Sequence, residues 1–552
     1  MSSLSVAEVL LGRFKALGVD YFFNNPGTDF APIVEAYARG AVALPTPLVA
    51  SHENLAMGLA HGYAMVAGRA QAVMTHVNVG TANALAGIIN AFSSQVPVMV
   101  CAGRTPLFEE GPAGARSLGI HWAQEMRDQG ALVREFTKWD YELRDGHEML
   151  EVIDRAFAVM NGAPAGPVYF SLPREVLARE VTGVDIDRPL RLQPAAPGAG
   201  SAASLERLAG WLHRARQPIA IVSSSGRTAA GVDALGRFAA AWGVPVVEYR
   251  ARYVNLPTSH PWHAGVETGD LLNSADLILV IDHDVPWIPA AAKPPATTRI
   301  VQIAADPLYS SYPTRSFASD LAIAGDTAAI LDALAALGKD VRPALRDERA
   351  RVVAARRAAR PGLPKEPPAR LTSPWASHCI GQAKKDDTIV VNEYPLIGQA
   401  MAFEQPLTLF GSTPAGALGW GLPAALGAKL ARPDADVIAC LGEGSYLFAN
   451  PIACHQAARA YGIPILTIIF NNAEYAAVRR ATQAMYPDGA AVKMNVMPLT
   501  QLDGLPPFHE VVKLFGGFGE EVSDPAALPG ALQRALAATR NGQQALLNLK
   551  IA

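Results

Sequence analysis

This chain of 552 residues has little charge, little cysteine and no long apolar run. Only 18% of its residues are charged, 47 basic against 50 acidic, for a formal net charge of −3. No basic patch interleaved with aromatics occurs, which argues against the electrostatic footprint of a nucleic-acid binder. The four cysteines, Cys101, Cys379, Cys440 and Cys454, form no CxxC pair. In apolar surroundings they read as reduced core residues of a cytoplasmic protein. The longest apolar runs, such as 463–470, have strand length, well short of the ~18 residues of a spanning helix. The stretch Met1-Ser2-Ser3-Leu4-Ser5 has no basic n-region and no cleavage pattern, so no signal peptide is read. Neither a membrane nor a nucleic acid is an expected partner.

Half of the residues are hydrophobic, enough for a large interior, and the length suggests about three domains. Short β-rich apolar runs at 98–101, 218–222, 277–281, 300–303, 388–391, 437–441 and 463–470 alternate with Ala/Leu-rich helical segments. Such runs are those of buried parallel strands, and the alternation implies α/β layers. Two composition shifts divide the chain. Residues 189–204, rich in Pro, Gly and Ala, read as a linker. Residues 342–374 open with a basic helix over 346–360 and continue Pro-rich, a second linker lying over the surface with its charges as a solvated face. Three blocks result: 1–185, 195–340 and 365–552.

The most informative motif is Gly442-Glu443-Gly444-Ser445 with the later pair Asn471-Asn472, whose second amide lies twenty-nine positions after Glu443. Mg2+ takes octahedral oxygen ligands, one or two from protein and others from phosphate and water. A carboxylate in a glycine turn, an apolar strand and two amides supply such oxygens. The glycines let backbone approach phosphate, and the helix that follows offers free N–H groups. The pattern resembles the Gly-Asp-Gly-Ser … Asn-Asn signature of thiamine diphosphate enzymes. Glu443 stands in place of the usual Asp, and the gap is slightly longer than in the decarboxylases.

Two further segments carry the same resemblance. Ser51-His52-Glu53-Asn54 precedes a small-residue apolar helix, 55–65, and is followed by 72–83, which contains His76. A lone Glu at a helix start is more often a dipole-complementing surface charge. In the superfamily's pyrimidine-binding domain, however, the catalytic Glu opens such a helix, and Glu53 matches it. Asn25-Pro26-Gly27-Thr28 resembles the Asn-Pro-Gly-Ser turn of benzoylformate decarboxylase, and His76 falls where that enzyme carries an active-site His. The run 416–427 resembles the segment upstream of the metal turn in benzoylformate decarboxylase and acetohydroxyacid synthase. A Gly/Ala-packed helix accounts for 424–428 but not for Leu418 between small residues.

The resemblance spans almost the whole chain. It implies three doubly wound parallel-sheet α/β domains, in the order pyrimidine, middle and diphosphate. It implies thiamine diphosphate and Mg2+ as cofactors. Glu53 would share a proton with the pyrimidine ring. Asn25, Pro26 and Gly27 would meet the cofactor, Leu418 would prop it into its bent form, and the Gly416 carbonyl would accept from its amino group. Gly442, Gly444 and Ser445 would meet the diphosphate. Glu443, the Asn472 amide oxygen and the Glu474 carbonyl would bind the metal. Pro395 departs from the family's hydroxyl residue for the diphosphate. Thr28, His76, Gln124, Ala477 and Ala481 would face substrate. Gln124-Glu125 resembles the Phe-Gln-Glu segment of acetohydroxyacid synthase. The Ala-rich stretch 476–481 implies a roomy pocket. His52, His121 and His283 are secondary candidates. Residues 223–226 and 282–287 do not resemble the flavin-contacting segments of the synthase branch, so no FAD is expected.

The leading expectation is a 2-oxo acid decarboxylase with possible carboligase activity. An acetolactate synthase-type transferase and a catalytically impaired cofactor-binding protein are the alternatives. The expected partners are a 2-oxo acid and an aldehyde or second 2-oxo acid. The expected assembly is a homodimer or homotetramer whose active site joins Glu53 of one chain to Glu443 of another.

Overall fold

The computed structural model describes residues 3–338, 341–359 and 366–552. Three all-parallel sheets follow one another along the chain. In spatial order the first holds Thr46–Val49, Tyr21–Asn24, Gln71–Thr75, Val98–Arg104, Val168–Pro173 and Asp140–Glu142. The third holds Leu409–Phe410, Ile389–Glu393, Val437–Gly442, Leu466–Asn471, Ala545–Lys550 and Phe518–Val522. Counted in chain order, both sheets run 2-1-3-4-6-5. The middle sheet, Val246–Val247, Pro218–Val222, Leu277–Ile281, Arg299–Ala304 and Leu321–Ala324, runs 2-1-3-4-5. This is the three-domain doubly wound α/β fold expected from the sequence. The apolar runs are strands because β-branched residues fill surfaces buried on both faces; Ile278, Leu279 and Ile281 are wholly buried.

The first and third domains share one apolar cluster. Helix Glu53–Ala67 lies across helix Gly421–Ala431, and Leu55 and Leu59 join Leu422 and Leu426 in it. The middle domain keeps a core of its own around Trp242 and Phe238.

Two linker expectations are corrected. The first linker is irregular only as far as Ser201, whose side chain accepts from the Ser204 N–H and caps helix Ala202–Leu212. The basic stretch forms helix Pro343–Ala358, and its charges are not all solvated. Arg349 is 1% exposed and donates to the carbonyls of Leu212, Ala215 and Trp242 at 2.5–2.7 Å. These carbonyls lie at the ends of helices Ala202–Leu212 and Ala229–Trp242. A guanidinium there satisfies unpaired acceptors and complements the negative helix ends. The helix is therefore docked on the middle domain. Residues 360–365 of that linker, with the expected block ends at 340 and 365, lie outside the described residues. Among the described residues no helix is long and apolar enough to cross a membrane, and all four cysteines are buried and free.

Candidate active site

In an open parallel sheet, the crevice for a ligand opens at the carboxyl ends of the two strands where the chain reverses its winding. In the first sheet these strands are Tyr21–Asn24 and Gln71–Thr75. Asn25-Pro26-Gly27-Thr28 leaves one and His76 leaves the other. In the third sheet they are Ile389–Glu393 and Val437–Gly442, and Glu443 leaves the second. Asn472 follows the adjacent strand, Leu466–Asn471. Topology thus gathers the motifs at two crevices.

At the first, His76 Nδ1 lies 2.6 Å from Asp29 Oδ1, and the other Asp29 oxygen accepts from the Val77 N–H at 3.3 Å. His76 Nε2 stands 3.4 Å from the Gln124 amide nitrogen. Thr28, Asp29, His76, Arg104, His121 and Gln124 line one narrow cleft. The Asp29 hydrogen bond raises the His76 pKa above its ordinary value, with burial opposing and the charges of Asp29 and Glu53 adding to it. His121 accepts from the Ser117 N–H through Nδ1 at 3.1 Å. Burial, with Arg174 and Arg116 nearby, pushes its pKa down. Arg104 pairs with Glu142 at 3.0 Å and with Glu125. Glu53 is the first residue of its helix, behind an N-cap in which His52 Nδ1 accepts from the Asn54 N–H. Its carboxylate is buried and accepts from the Asn83 amide at 3.2 Å.

At the second crevice Glu443 is 3% exposed. Its Oε1 and the Asn472 amide oxygen both accept from one donor, the Glu474 N–H, at 2.9 and 3.1 Å. The two expected metal ligands therefore converge. The Glu474 carbonyl accepts from the Ala476 N–H at 2.9 Å, and its side chain pairs with Arg479 at 2.9 Å. Burial raises the Glu443 pKa; backbone N–H groups oppose this, and the Glu474 charge adds to it. A dehydrated carboxylate beside an amide oxygen is what a divalent cation needs, so these residues fit Mg2+. Among the described residues no cluster of three His, Cys, Asp or Glu could hold a metal; the expected set depends on amide and carbonyl oxygens instead. Ser445 is buried in the turn after Glu443. Asn471 is structural: its amide donates to Asn548 at 3.1 Å, and its oxygen accepts from the Ala473 N–H.

The turn carrying Gly416 and Leu418 is held from both domains. Asn90 donates to the Ala417 carbonyl at 2.8 Å and Asn54 to the Gly419 carbonyl at 3.0 Å. Glu393 accepts from the N–H groups of Gly419 and Gly421 at 2.8 and 2.7 Å. Leu418 is half-buried. Ala477 and Ala481 stand exposed on helix Ala476–Met485, which buries none of its residues in the single chain. His283 is a core histidine of the middle domain, with Nε2 2.8 Å from the Tyr249 carbonyl.

Sequence reasoning missed Asp29, Asn83, Arg104 and Glu393 as parts of these crevices. Asp29 directly follows the turn that was recognised, and Glu393 ends an apolar strand; an acid in either place signals a buried carboxylate. Backbone strain marks the same crevices. Val77 (φ 35°) follows His76, Tyr394 (φ 82°) follows Glu393, and Ala473 (φ 57°) follows Asn472. A positive φ is costly for β-branched or bulky residues and clusters at functional sites.

Known proteins resemble the chain over most of its length. Sequence models described as "Thiamine pyrophosphate enzyme" match the chain in three parts. They are the N-terminal TPP binding domain over residues 4–132, the central domain over 205–334 and the C-terminal TPP binding domain over 393–548. The acetolactate synthase large subunit of Lactococcus lactis is 27% identical over 502 residues, covering 88% of this chain and 83% of its own length. The benzoylformate decarboxylase of Pseudomonas aeruginosa is 27% identical over 564 residues, covering 95% of each. Among solved structures, the thiamine diphosphate-dependent 4-hydroxybenzoylformate decarboxylase of Rhodococcus jostii superposes with a TM-score of 0.78 at 23% identity, over 99% of both chains. That likeness speaks for the fold.

Proposed function

Because the chain belongs to the thiamine pyrophosphate enzyme family, as a cofactor-dependent lyase or transferase resembling benzoylformate decarboxylase and acetolactate synthase, we propose that it decarboxylates a 2-oxo acid, with Mg2+ as the metal. The observation that carries this reading is His76, bonded to Asp29 in the cleft at the first domain's crevice. A decarboxylase that releases an aldehyde must return a proton to the carbon that loses CO2, and His76 is a proton carrier of the kind that step needs.

When bound, the cofactor supplies the electron sink for CO2 loss and Mg2+ anchors its diphosphate. Glu443 and Asn472 would hold the metal through oxygens that already share one donor. Ser445, in the first turn of helix Glu443–Phe448, would meet the diphosphate. Glu53 would hold and share a proton with the pyrimidine, its carboxylate fixed by Asn83. Leu418 would keep the cofactor bent, on a turn fixed by Asn54, Asn90 and Glu393. Thr28 and Gln124 would orient substrate beside His76. No flavin is proposed. The cavity of about 280 Å3 between the middle and first domains is lined by Asp282, Asp326 and Arg227, and its segments 223–226 and 282–287 do not resemble those that contact flavin in the synthase branch.

The synthase reading keeps one specific support, Gln124, which belongs to the segment resembling that branch and lies in the cleft. A screen of 2-oxo acids with thiamine diphosphate and Mg2+, with and without aldehyde acceptors, separates the readings. Aldehyde and CO2 in equal amounts are expected; acetolactate from pyruvate as the main product would move the assignment to the synthase. Glu53→Gln should keep the fold and cofactor affinity but lose most exchange of the cofactor's C2 proton with D2O. Wild-type exchange in that variant would remove Glu53 from its role.

A further inference from the structure

Two glycines leave the space in which His76 and Asp29 meet. A Cβ on Gly103 would sit 1.6 Å from Asp29 Oδ2, and one on Gly27 would sit 2.1 Å from His76 Nδ1. Gly103 belongs to strand Val98–Arg104, and Gly27 precedes the turn Thr28–Phe30 that carries Asp29. The backbone is therefore cleared from both sides to let one carboxylate and one imidazole meet at 2.6 Å. The residue after the histidine, Val77, is held at φ 35° while its N–H points to the same carboxylate. A β-branched residue takes that conformation only at a cost.

Resting on the decarboxylase reading, we propose that Asp29 is the positioning residue that keeps an Nε2 proton on His76 for delivery to the substrate carbon that has lost CO2. Asp29 accepts a hydrogen bond from the Nδ1–H, which leaves the ring's second nitrogen to the cleft. In the step itself the Nε2–H bond breaks, and the electron pair that CO2 leaves behind forms the new C–H bond. His76 ends neutral, its remaining proton still on Nδ1 and hydrogen-bonded to Asp29, and solvent restores the Nε2 proton. Gln124 suits both states of the ring. Its amide nitrogen can donate to a neutral Nε2, and its oxygen, which is buried and unpartnered, accepts from a protonated Nε2 once the amide turns over. The other charged and titratable groups facing His76 are Glu53 from the start of its helix and His121 from the turn Ile120–Ala123. Arg104 from the end of its strand and Arg174 complete the set.

The alternative is purely structural: Asp29 could serve only to hold the Val77 N–H and the turn. Asp29→Asn separates the two, because Asn can still accept from an N–H but carries no charge. The first readout is the His76 ring titration, followed by NMR on protein with labelled histidine, without cofactor or substrate. The wild-type midpoint should lie above the ordinary value near 6.5, and Asn should lower it by about one to three pH units. The second readout is product partition in the holoenzyme with an aldehyde acceptor present. Aldehyde release should fall at least tenfold relative to the ligated product, and the alkaline limb of the pH profile should move down with the His76 midpoint. If Asn unfolds the turn, Gly103→Ala provides the same test by crowding Asp29 away from His76. An unmoved His76 midpoint overturns the proposal whatever the enzyme's substrate proves to be. A lowered midpoint with unchanged partition also overturns it, leaving Asp29 as an electrostatic neighbour. Failure of every 2-oxo acid in the functional screen, with the NMR shift intact, would instead count against the decarboxylase reading.

Discussion

Glu393 shows how much one buried side chain can carry. It is 2% exposed, at the end of strand Ile389–Glu393, and both oxygens accept backbone N–H groups of the turn behind Leu418. Burial outweighs those donors and pushes its pKa up from 4.5 to about 7. The folded state therefore holds this proton more tightly than the unfolded chain does. Its stabilising contribution is full below the unfolded value and is lost as pH rises through about 7, on the order of 3 kcal/mol in all. Glu393→Gln cannot titrate. Comparing urea unfolding of the two proteins at pH 5 and pH 8, the wild type should lose that much more stability than the variant. Parallel pH dependences would mean that Glu393 is ionised throughout. The residue was within reach of sequence reading, since Asn392 to Pro395 drew attention as a departure from the family's diphosphate contact. Its role was not, because both of its donors belong to residues more than twenty-five positions away. Glu53, His76, Glu443 and Asn472 were legible because each follows directly from a strand end or helix start. Asp29 was hidden by its partner, His76, which lies 47 positions further along.

At the scale of elements, the strands were the legible part, since apolar runs of strand length have few other places to go. Leu277–Ile281 and Pro218–Val222 fall where the runs were read, and Leu466–Asn471 begins three residues later than its run. The contact between helices Glu53–Ala67 and Gly421–Ala431 was not legible as a contact, because Gly and Ala in each read only as helix packing. The structure gives them a specific role. A Cβ on Gly62 would lie 1.9 Å from the Ala424 carbonyl oxygen, and one on Gly427 would lie 2.1 Å from that of Leu59. The two backbones touch, and this contact sets the Glu53 helix against the element that carries Leu418's turn. Gly62→Ala should force the helices apart at a cost of about 1–3 kcal/mol. It should also strain the Asn54 bond to the Gly419 carbonyl. A lower unfolding midpoint together with weaker thiamine diphosphate affinity is expected by calorimetry. An unchanged midpoint would mean that the helices yield without loss and that the close approach is incidental. The basic helix Pro343–Ala358 was misread for a related reason. A row of arginines looks solvated in sequence, and only the placement of helix ends shows that Arg349 has acceptors to bury against.

For the whole molecule, the question is whether one chain completes a site. The Glu53 carboxylate finds its partner, Asn83, in the first domain, whereas Glu443 finds the Glu474 N–H in the third. An exposed apolar strip borders both. It comprises Val49, just before the Glu53 helix; Phe448, at the end of the Glu443 turn; and Ile452, each more than half exposed. The Tyr461 hydroxyl accepts from the Val49 N–H at 2.8 Å and ties the two domains along this strip. Apolar residues grouped in this way suit a two-fold contact with a second copy, which would bring the first domain of one chain to the third domain of the other. The assembly should therefore scatter light at no less than twice the 58.3 kDa of the chain. Mixing two inactive variants gives the sharper test. In a hybrid of one Glu53→Gln chain and one Glu443→Gln chain, a site shared between chains has both carboxylates intact at one position and neither at the other. Random exchange makes half of the dimers hybrids, so about a quarter of wild-type activity should return, one intact site in every second dimer. Were each site built within one chain, every site in the mixture would lack one carboxylate. Activity would then stay at the level of the parents, even with subunit exchange confirmed by mass spectrometry of differently labelled chains.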